Sequence, residues 1–186
     1  MLDAPYPPSM YCMRSSDLVE LIDDTGRATG AKPRSQIDKT RDVYHGVYVL
    51  LMTPARELVL SEIPERSDLP NLYVHKLGVT AATMRRVGET PELAAQRAIA
   101  SELRIQTTAL RHLGDGFEVL RDGRRTYMSG FLAVGAVPHQ YSTVDIDRLA
   151  VLSLTAVAER FKQDVEQFAP TFEAFWHNYQ SVFNRR

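Results

Sequence analysis

A series of short apolar runs separated by turn residues most constrains the fold of this 186-residue chain. Tyr44–Met52 and residues 57–63 are apolar, and Thr53-Pro54-Ala55-Arg56 separates them. This pattern predicts two antiparallel strands joined by a tight turn. Further strands are predicted at residues 18–22, 72–77, 117–120, 126–134 and 150–154. Residues 64–70 are predicted to form a loop.

Three segments carry helix signals between or after these strands. Thr90 is an N-cap residue followed by Pro91 and an acid, so a helix is predicted from there to about Leu103. A second helix is predicted over residues 155–162. An apolar face at spacings of three and four predicts a C-terminal helix. Its residues are Phe172, Phe175, Trp176, Tyr179 and Phe183.

The order of these elements predicts an α+β fold, because helices are interspersed among mostly antiparallel strands. Asp122-Gly123 lies between two apolar runs, which predicts a hairpin. Residues 1–16 are proline-rich and without apolar periodicity, so they are predicted to be an N-terminal arm. Residues 17–186 are then predicted to form one domain.

Composition excludes several classes of protein. The chain has 22 Lys+Arg and 23 Asp+Glu, a net charge of −1, so nothing indicates non-specific nucleic-acid binding, and no specific nucleic-acid partner is expected. No apolar run approaches the roughly 18 residues that span a bilayer, and the start has no signal-peptide pattern, so a cytoplasmic protein without a membrane partner is expected. Cys12 is the only cysteine, which excludes an intrachain disulfide and a multi-cysteine zinc site.

Residues 83–105, TMRRVGETPELAAQRAIASELRI, carry the most specific signal. They resemble the Nudix signature, which reads Gly, five residues, Glu, seven residues, Arg-Glu, an apolar residue, any residue, Glu-Glu, any residue, Gly and an apolar residue. The positions that match are Glu89, Arg97, Ile99, Glu102 and Ile105. The resemblance implies a mixed β-sheet sandwiched between α-helices, with this segment as a loop-helix-loop.

The resemblance also implies a reaction and a site. The reaction is the divalent-metal-dependent hydrolysis of a nucleoside diphosphate linked to another moiety, or of a similar diphosphate, with water attacking phosphorus. Glu89 and Glu102 would bind Mg²⁺ or Mn²⁺, and Arg97 would pair with one of them and orient it. Arg85 and Arg86, which precede the helix, are candidate phosphate ligands.

Four positions depart from the signature: Thr83 and Arg104 replace glycines, and Ala98 and Ser101 replace glutamates. Helical geometry predicts that Ala98, Ser101 and Glu102 share a face with Ala94, so that face keeps one carboxylate. The metal site is therefore expected to be weak or absent. A non-catalytic Nudix-fold module that binds a ligand or a protein remains open as the alternative.

Residues 17–180 more specifically resemble the branch of isopentenyl-diphosphate isomerases and their hydrolase relatives, through ELIDDTGRATG at residues 20–30 and a histidine at 45. Isomerase activity is disfavoured, because the expected catalytic cysteine is Ala82 and a metal-binding histidine is Met84. Cys12 lies too far upstream to substitute. A homodimer to which the apolar C-terminal helix and the proline-rich start contribute stays open. The roles of five further residues stay open, namely His45, His75, Glu118, Asp145 and Asp147.

Overall fold

A computed structural model describes residues 13–65, 72–106 and 109–183. These residues form nine β-strands and three α-helices, which confirms the α+β prediction. The strands are β1 (Leu18–Ile22), β2 (Ala28–Pro33), β3 (Tyr44–Met52), β4 (Glu57–Glu62), β5 (Leu77–Gly78), β6 (Ala81–Met84), β7 (Leu110–Val119), β8 (Arg125–Val134) and β9 (Arg148–Ser153). The helices are α1 (Pro91–Glu102), α2 (Leu154–Gln163) and α3 (Pro170–Phe183).

Strand β3 is the centre of a mixed sheet. It pairs antiparallel with β1, β4 and β6, and parallel with β8 over its whole length. Strand β2 extends the sheet beside β1, β7 lies beside β8, and β5 and β9 both pair with β4. The predicted antiparallel pair around residues 53–56 is thus confirmed as β3 and β4.

The sheet lies between helices, as predicted. On one face, α1 packs through Ala94, Ala95, Ala98 and Ile99 over alternate residues of β3. On the other face, α2 and α3 pack over the remaining alternate residues of β3. Because β3 is covered on both faces, its sequence is a continuous apolar run rather than an alternating one.

Several local predictions are confirmed. Helix α1 follows Thr90, whose hydroxyl accepts a 3.3 Å hydrogen bond from the Leu93 N–H, and it ends one residue before the predicted end. Asp122-Gly123 forms the turn between β7 and β8. All five apolar residues of the predicted C-terminal face are buried in α3.

The predicted strand at residues 72–77 is wrong, since residues 72–75 form a turn and the strand is only Leu77–Gly78. His75 has φ 60°, and the Lys76 N–H donates to the Tyr73 carbonyl at 3.2 Å, which closes this turn. Two strands were not predicted. Strand β2 is an exposed edge without apolar alternation, and β6 is only four residues long and has no apolar alternation. Strand β7 begins at Leu110 rather than at residue 117.

Most of the predicted arm at residues 1–16, and of the predicted loop at residues 64–70, lies outside the described residues. Both stay predictions. Among the described residues, no helix combines the length and the apolarity that crossing a membrane requires.

Candidate functional site

The turn before α1 places Glu89 close to the preceding strand. Gly88 has φ 75°, in the left-handed region that favours glycine, and the Glu89 N–H donates to the Arg86 carbonyl at 3.1 Å. The chain therefore reverses between β6 and α1. This reversal brings the Glu89 carboxylate against the end of β6.

Arg97 holds Glu89 through a two-point ion pair. Its Nε donates to Glu89 Oε1 at 2.7 Å, and its Nη2 donates to Glu89 Oε2 at 2.8 Å. The remaining contacts of the guanidinium reach β6, with Nη1 donating to the Thr83 hydroxyl and Nη2 to the Met84 carbonyl, both at 2.9 Å. Of the two residues predicted to pair with Arg97, Glu89 is thus the partner.

The Glu89 carboxylate is largely occupied by these contacts. Besides Arg97, the Arg86 N–H donates to Glu89 Oε2 at 3.0 Å. The side chains are 12% exposed for Glu89 and 6% exposed for Arg97. A metal ion would have to displace a buried, two-point guanidinium contact to reach this carboxylate. The geometry suits a brace between α1 and β6.

The helix face that carries acids in the signature is partly turned into the core. Ala94 and Ala98 are fully buried against the sheet, whereas Ser101 and Glu102 are half-buried. The Glu102 carboxylate accepts from the Ala82 N–H, at 3.3 and 3.4 Å to its two oxygens. The Ser101 hydroxyl donates to the Ala98 carbonyl. Glu102 is the one carboxylate among these four residues.

The two candidate phosphate ligands, Arg85 and Arg86, both form ion pairs. Arg85 contacts the Glu20 carboxylate of β1, and Arg86 lies 2.6 Å from the Asp17 carboxylate. Burial lowers the pKa of Arg85, while the charges of nearby acids oppose this shift. Both cations are therefore already neutralised in the fold.

A chain of hydrogen-bonded polar side chains crosses β3, β8 and β7; it is buried at His45 and Ser129 and exposed at Asp115 and His112. His45 Nε2 lies 2.6 Å from Ser129 Oγ, and the Ser129 hydroxyl donates to Asp115 Oδ1 at 2.5 Å. Asp115 also contacts His112 Nε2 at 2.9 Å. Burial lowers the pKa of His45, and the Asp115 charge partly opposes this shift. Of these four residues, only His45 is a candidate from the sequence.

The sequence offers only weak signals for Ser129 and Asp115. Ser129 lies within an apolar strand, and Asp115 lies between Gly114 and Gly116. Neither signal indicates a partner by itself, because both residues are brought to His45 by strand pairing. The contacts among His45, Ser129 and Asp115 therefore follow from the order of the strands and not from the local sequence.

The other open residues fall elsewhere. Glu118 accepts a hydrogen bond from the Asn178 amide of α3 at 2.7 Å. Asp145 accepts one from the Ser142 hydroxyl at 2.7 Å, as expected for a loop cap. His75 and Asp147 lie together with Glu62 at the end of β4. This trio is the one group of three potential metal ligands in the described part of the chain, and it includes neither Glu89 nor Glu102.

The residues of α1 do not fit a cluster of several metal ions. Such a cluster needs many carboxylate oxygens, whereas Glu89 is held by Arg97 and Glu102 stands on the helix without a second acid at positions 98 and 101. A single Mg²⁺ ion with one protein carboxylate, waters and ligand phosphates is the most that these residues suit.

Residue 104 independently supports the register of the signature. Arg104 occupies the position of the late glycine, and it has φ 56°, in the left-handed region that glycine favours. The helix therefore ends with the backbone geometry that a glycine would adopt freely. At the other position where the signature has glycine, the Thr83 hydroxyl accepts a hydrogen bond from Arg97.

Solved structures with the same architecture identify the fold. DR0079 from Deinococcus radiodurans matches with a TM-score of 0.66 at 18% identity, covering 79% of this chain and 90% of that one. The Nudix hydrolase from Nitrosomonas europaea matches with a TM-score of 0.56 at 15% identity, covering 75% and 89%. The chain has the Nudix fold.

A third structure with the Nudix fold contains a ligand. It is the Nudix domain of Shewanella oneidensis NrtR in complex with ADP ribose, which matches with a TM-score of 0.51 at 15% identity and covers 73% of this chain and 90% of that one. No family model and no curated protein matches this chain.

Proposed function

We propose that this Nudix-fold chain binds a nucleoside diphosphate linked to another moiety, and that it does so without efficient metal-dependent hydrolysis. The observation that carries the proposal is the Glu89–Arg97 pair, in which both carboxylate oxygens of Glu89 accept from the guanidinium. With Ala98 and Ser101 at two further acidic positions of the signature, α1 is poor in metal ligands.

The ligand class is supported by fold similarity. The Nudix domain of NrtR was solved with ADP ribose, which joins a nucleoside diphosphate to a second sugar. Similar folds can host different functions, so this ligand serves as the first probe for binding. If Arg85 binds the phosphates, the ligand must displace the Glu20 carboxylate, and if Arg86 binds them, it must displace that of Asp17.

A magnesium-dependent hydrolase with one ion at Glu102 is the second candidate. It is favoured by the position of Glu102, which matches the last glutamate of the signature and lies in register with Arg97. Mg²⁺ commonly takes one or two carboxylates and completes its octahedron with water and phosphate oxygens. In this candidate Arg97 and Glu89 position α1, and Glu102 holds the ion.

Isomerase activity is not proposed. The position expected for the catalytic cysteine is Ala82, which contributes a backbone N–H to Glu102 rather than a thiol. Cys12 lies outside the described residues.

Two measurements on the full chain separate the candidates. Calorimetry should show ADP-ribose binding, and product analysis with MgCl₂ or MnCl₂ across a panel of nucleoside-diphosphate derivatives should show no metal-dependent turnover. Metal-dependent turnover that disappears in Glu102→Gln would establish the hydrolase instead. Absence of both binding and turnover across the panel would reject the proposed ligand class.

Ser101→Glu tests whether the lack of carboxylates limits metal binding. The half-buried Ser101 precedes Glu102, so a carboxylate there adds oxygen ligands without entering the core. We expect Mn²⁺ affinity at least tenfold above wild type, measured by calorimetry. The control Gln96→Glu adds the same charge elsewhere on α1 and should change little. An equal gain in both variants would mean that only general charge matters.

Ala98→Glu is a poor choice for this test. Ala98 is fully buried against the sheet, so a charged side chain there would be desolvated or would displace the core. A carboxylate can therefore be added to this helix face at residue 101 but not at residue 98.

A further inference from the structure

Three potential metal ligands meet at one end of strands β4, β5 and β9. Glu62 is the last residue of β4, His75 lies two residues before β5, and Asp147 directly precedes β9. One ligand atom from each of them lies within 4.8 Å of the other two. The described residues contain no second group of this kind.

Backbone hydrogen bonds hold the three ligand-bearing segments together. The His75 N–H donates to the Ile63 carbonyl at 2.8 Å, and the Ile63 N–H donates to the Lys76 carbonyl at 3.0 Å. The Asp147 N–H donates to the carbonyl of Glu62 itself at 2.9 Å. The backbone is thus already ordered, and only the side chains need to adjust for an ion to bind.

The ligand atoms of the three side chains lie slightly farther apart than the ligands of a bound metal ion. His75 Nδ1 lies 3.7 Å from Glu62 Oε1, beyond a good hydrogen bond. Two ligands of one tetrahedral or octahedral ion are about 3.0–3.4 Å apart for metal-ligand bonds of about 2.1 Å. A ligand atom of Asp147 lies within 4.8 Å of both. The His75 side chain is 62% exposed and Asp147 is also exposed, so both side chains can move closer to Glu62.

Charge also favours a cation at this position. The group contains two carboxylates, and one guanidinium pairs with it, since Arg148 Nε lies 2.5 Å from Glu62 Oε2. The contact leaves Glu62 Oε1 on the side of His75. Since the Arg148 side chain is 69% exposed, it is a replaceable competitor for Glu62.

We propose that Glu62, His75 and Asp147 bind a divalent transition-metal ion, Zn²⁺ in particular. One imidazole nitrogen and two carboxylate oxygens suit zinc, and three protein ligands leave its fourth position to water. Mg²⁺ is disfavoured because it prefers oxygen ligands in a near-ideal octahedron. The ion would join β4, β9 and the turn before β5. This site does not depend on the function proposed for α1.

Calorimetry of the full chain with ZnCl₂ tests the proposal. A Cys12→Ser background removes the thiol, which could bind zinc by itself. We expect one Zn²⁺ ion per chain, at least tenfold weaker binding in His75→Asn and in Glu62→Gln, and no comparable binding of MgCl₂. Asparagine tolerates the left-handed backbone of residue 75, so His75→Asn should keep the turn.

Two further variants act as controls. His139→Asn removes another exposed histidine and should leave zinc affinity within twofold of the parent. Arg148→Gln removes the competitor for Glu62 and should tighten zinc binding severalfold. Equal zinc affinity in the parent and in His75→Asn would overturn the proposal, as would weaker binding in Arg148→Gln.

Discussion

Arg97 connects helix α1 to strand β6 through four hydrogen bonds from one buried guanidinium. Two of them reach the Glu89 carboxylate, one the Thr83 hydroxyl and one the Met84 carbonyl. Lysine could not reproduce this arrangement, because its ammonium is a single point rather than a planar fork. In the signature, Arg97 is expected beside metal ligands. In this structure, it connects two elements of the fold.

Removing this guanidinium should destabilise the protein strongly. We expect Arg97→Met to lower the free energy of unfolding by about 3 kcal/mol, because Glu89 is left as an uncompensated, mostly buried charge. Urea denaturation followed by fluorescence measures the loss.

The control for Arg97 is a surface ion pair. Arg41→Met breaks a contact of 3.8 Å between Arg41 and Asp38, and the Arg41 side chain is 87% exposed. Its effect should stay within about 0.5 kcal/mol. Equal losses in the two variants would show that Arg97 is not a brace. If the unpaired charge causes the loss, adding Glu89→Gln to Arg97→Met should recover part of it.

At the scale of the element, the end of α1 departs from the ordinary preference of its residues. Leu103 is the last residue with a right-handed backbone, and Arg104 follows with φ 56°. A side chain with a Cβ is disfavoured there, and glycine is the common solution. This conformation is one that the glycine of the Nudix signature would adopt without strain.

Arg104→Gly should therefore stabilise the protein. We expect an increase of about 1 kcal/mol in the free energy of unfolding, since the Cβ clash of the left-handed conformation disappears. Urea denaturation checks the change. Arg104→Ala is the matched control, because it removes the charged side chain and keeps the Cβ. A similar gain in Arg104→Ala would mean that charge and not backbone conformation is responsible.

At the scale of the whole molecule, the buried side chain of His45 makes stability depend on pH. His45 is 5% exposed and bonds to Ser129. Burial lowers its pKa in the folded state below the ordinary value of 6.5. The unfolded chain consequently binds a proton at His45 before the folded chain does, as pH falls.

The contribution of His45 should be constant well above pH 6.5 and should decrease as pH falls below it, down to the folded pKa. One proton limits the slope to about 1.4 kcal/mol per pH unit. Urea denaturation between pH 5 and pH 8 measures it, and His45→Gln should lose this part of the slope. An unchanged slope in His45→Gln would assign the pH dependence to other groups.

The sequence predicted those features that depend on neighbours along the chain. The cap at Thr90, the turn at Asp122-Gly123 and the apolar face of α3 are formed within a few residues, so their patterns are local. Glu89 and Arg97 also lie within one segment, so the sequence could predict that Arg97 pairs with Glu89 or Glu102. Strands β2 and β6 escaped prediction, because tertiary pairing makes them strands and their side chains carry no periodic pattern.

The sequence by itself thus determined the fold class, the helices and the shortage of carboxylates on α1. Only the tertiary structure decided what each charged residue contacts. Arg85 and Arg86 meet acids more than sixty residues earlier, and Ser129 meets a histidine 84 residues away. Glu62 and Asp147 meet because β4 pairs with β9. Such contacts are set by strand order in the sheet, for which no local pattern of residues codes.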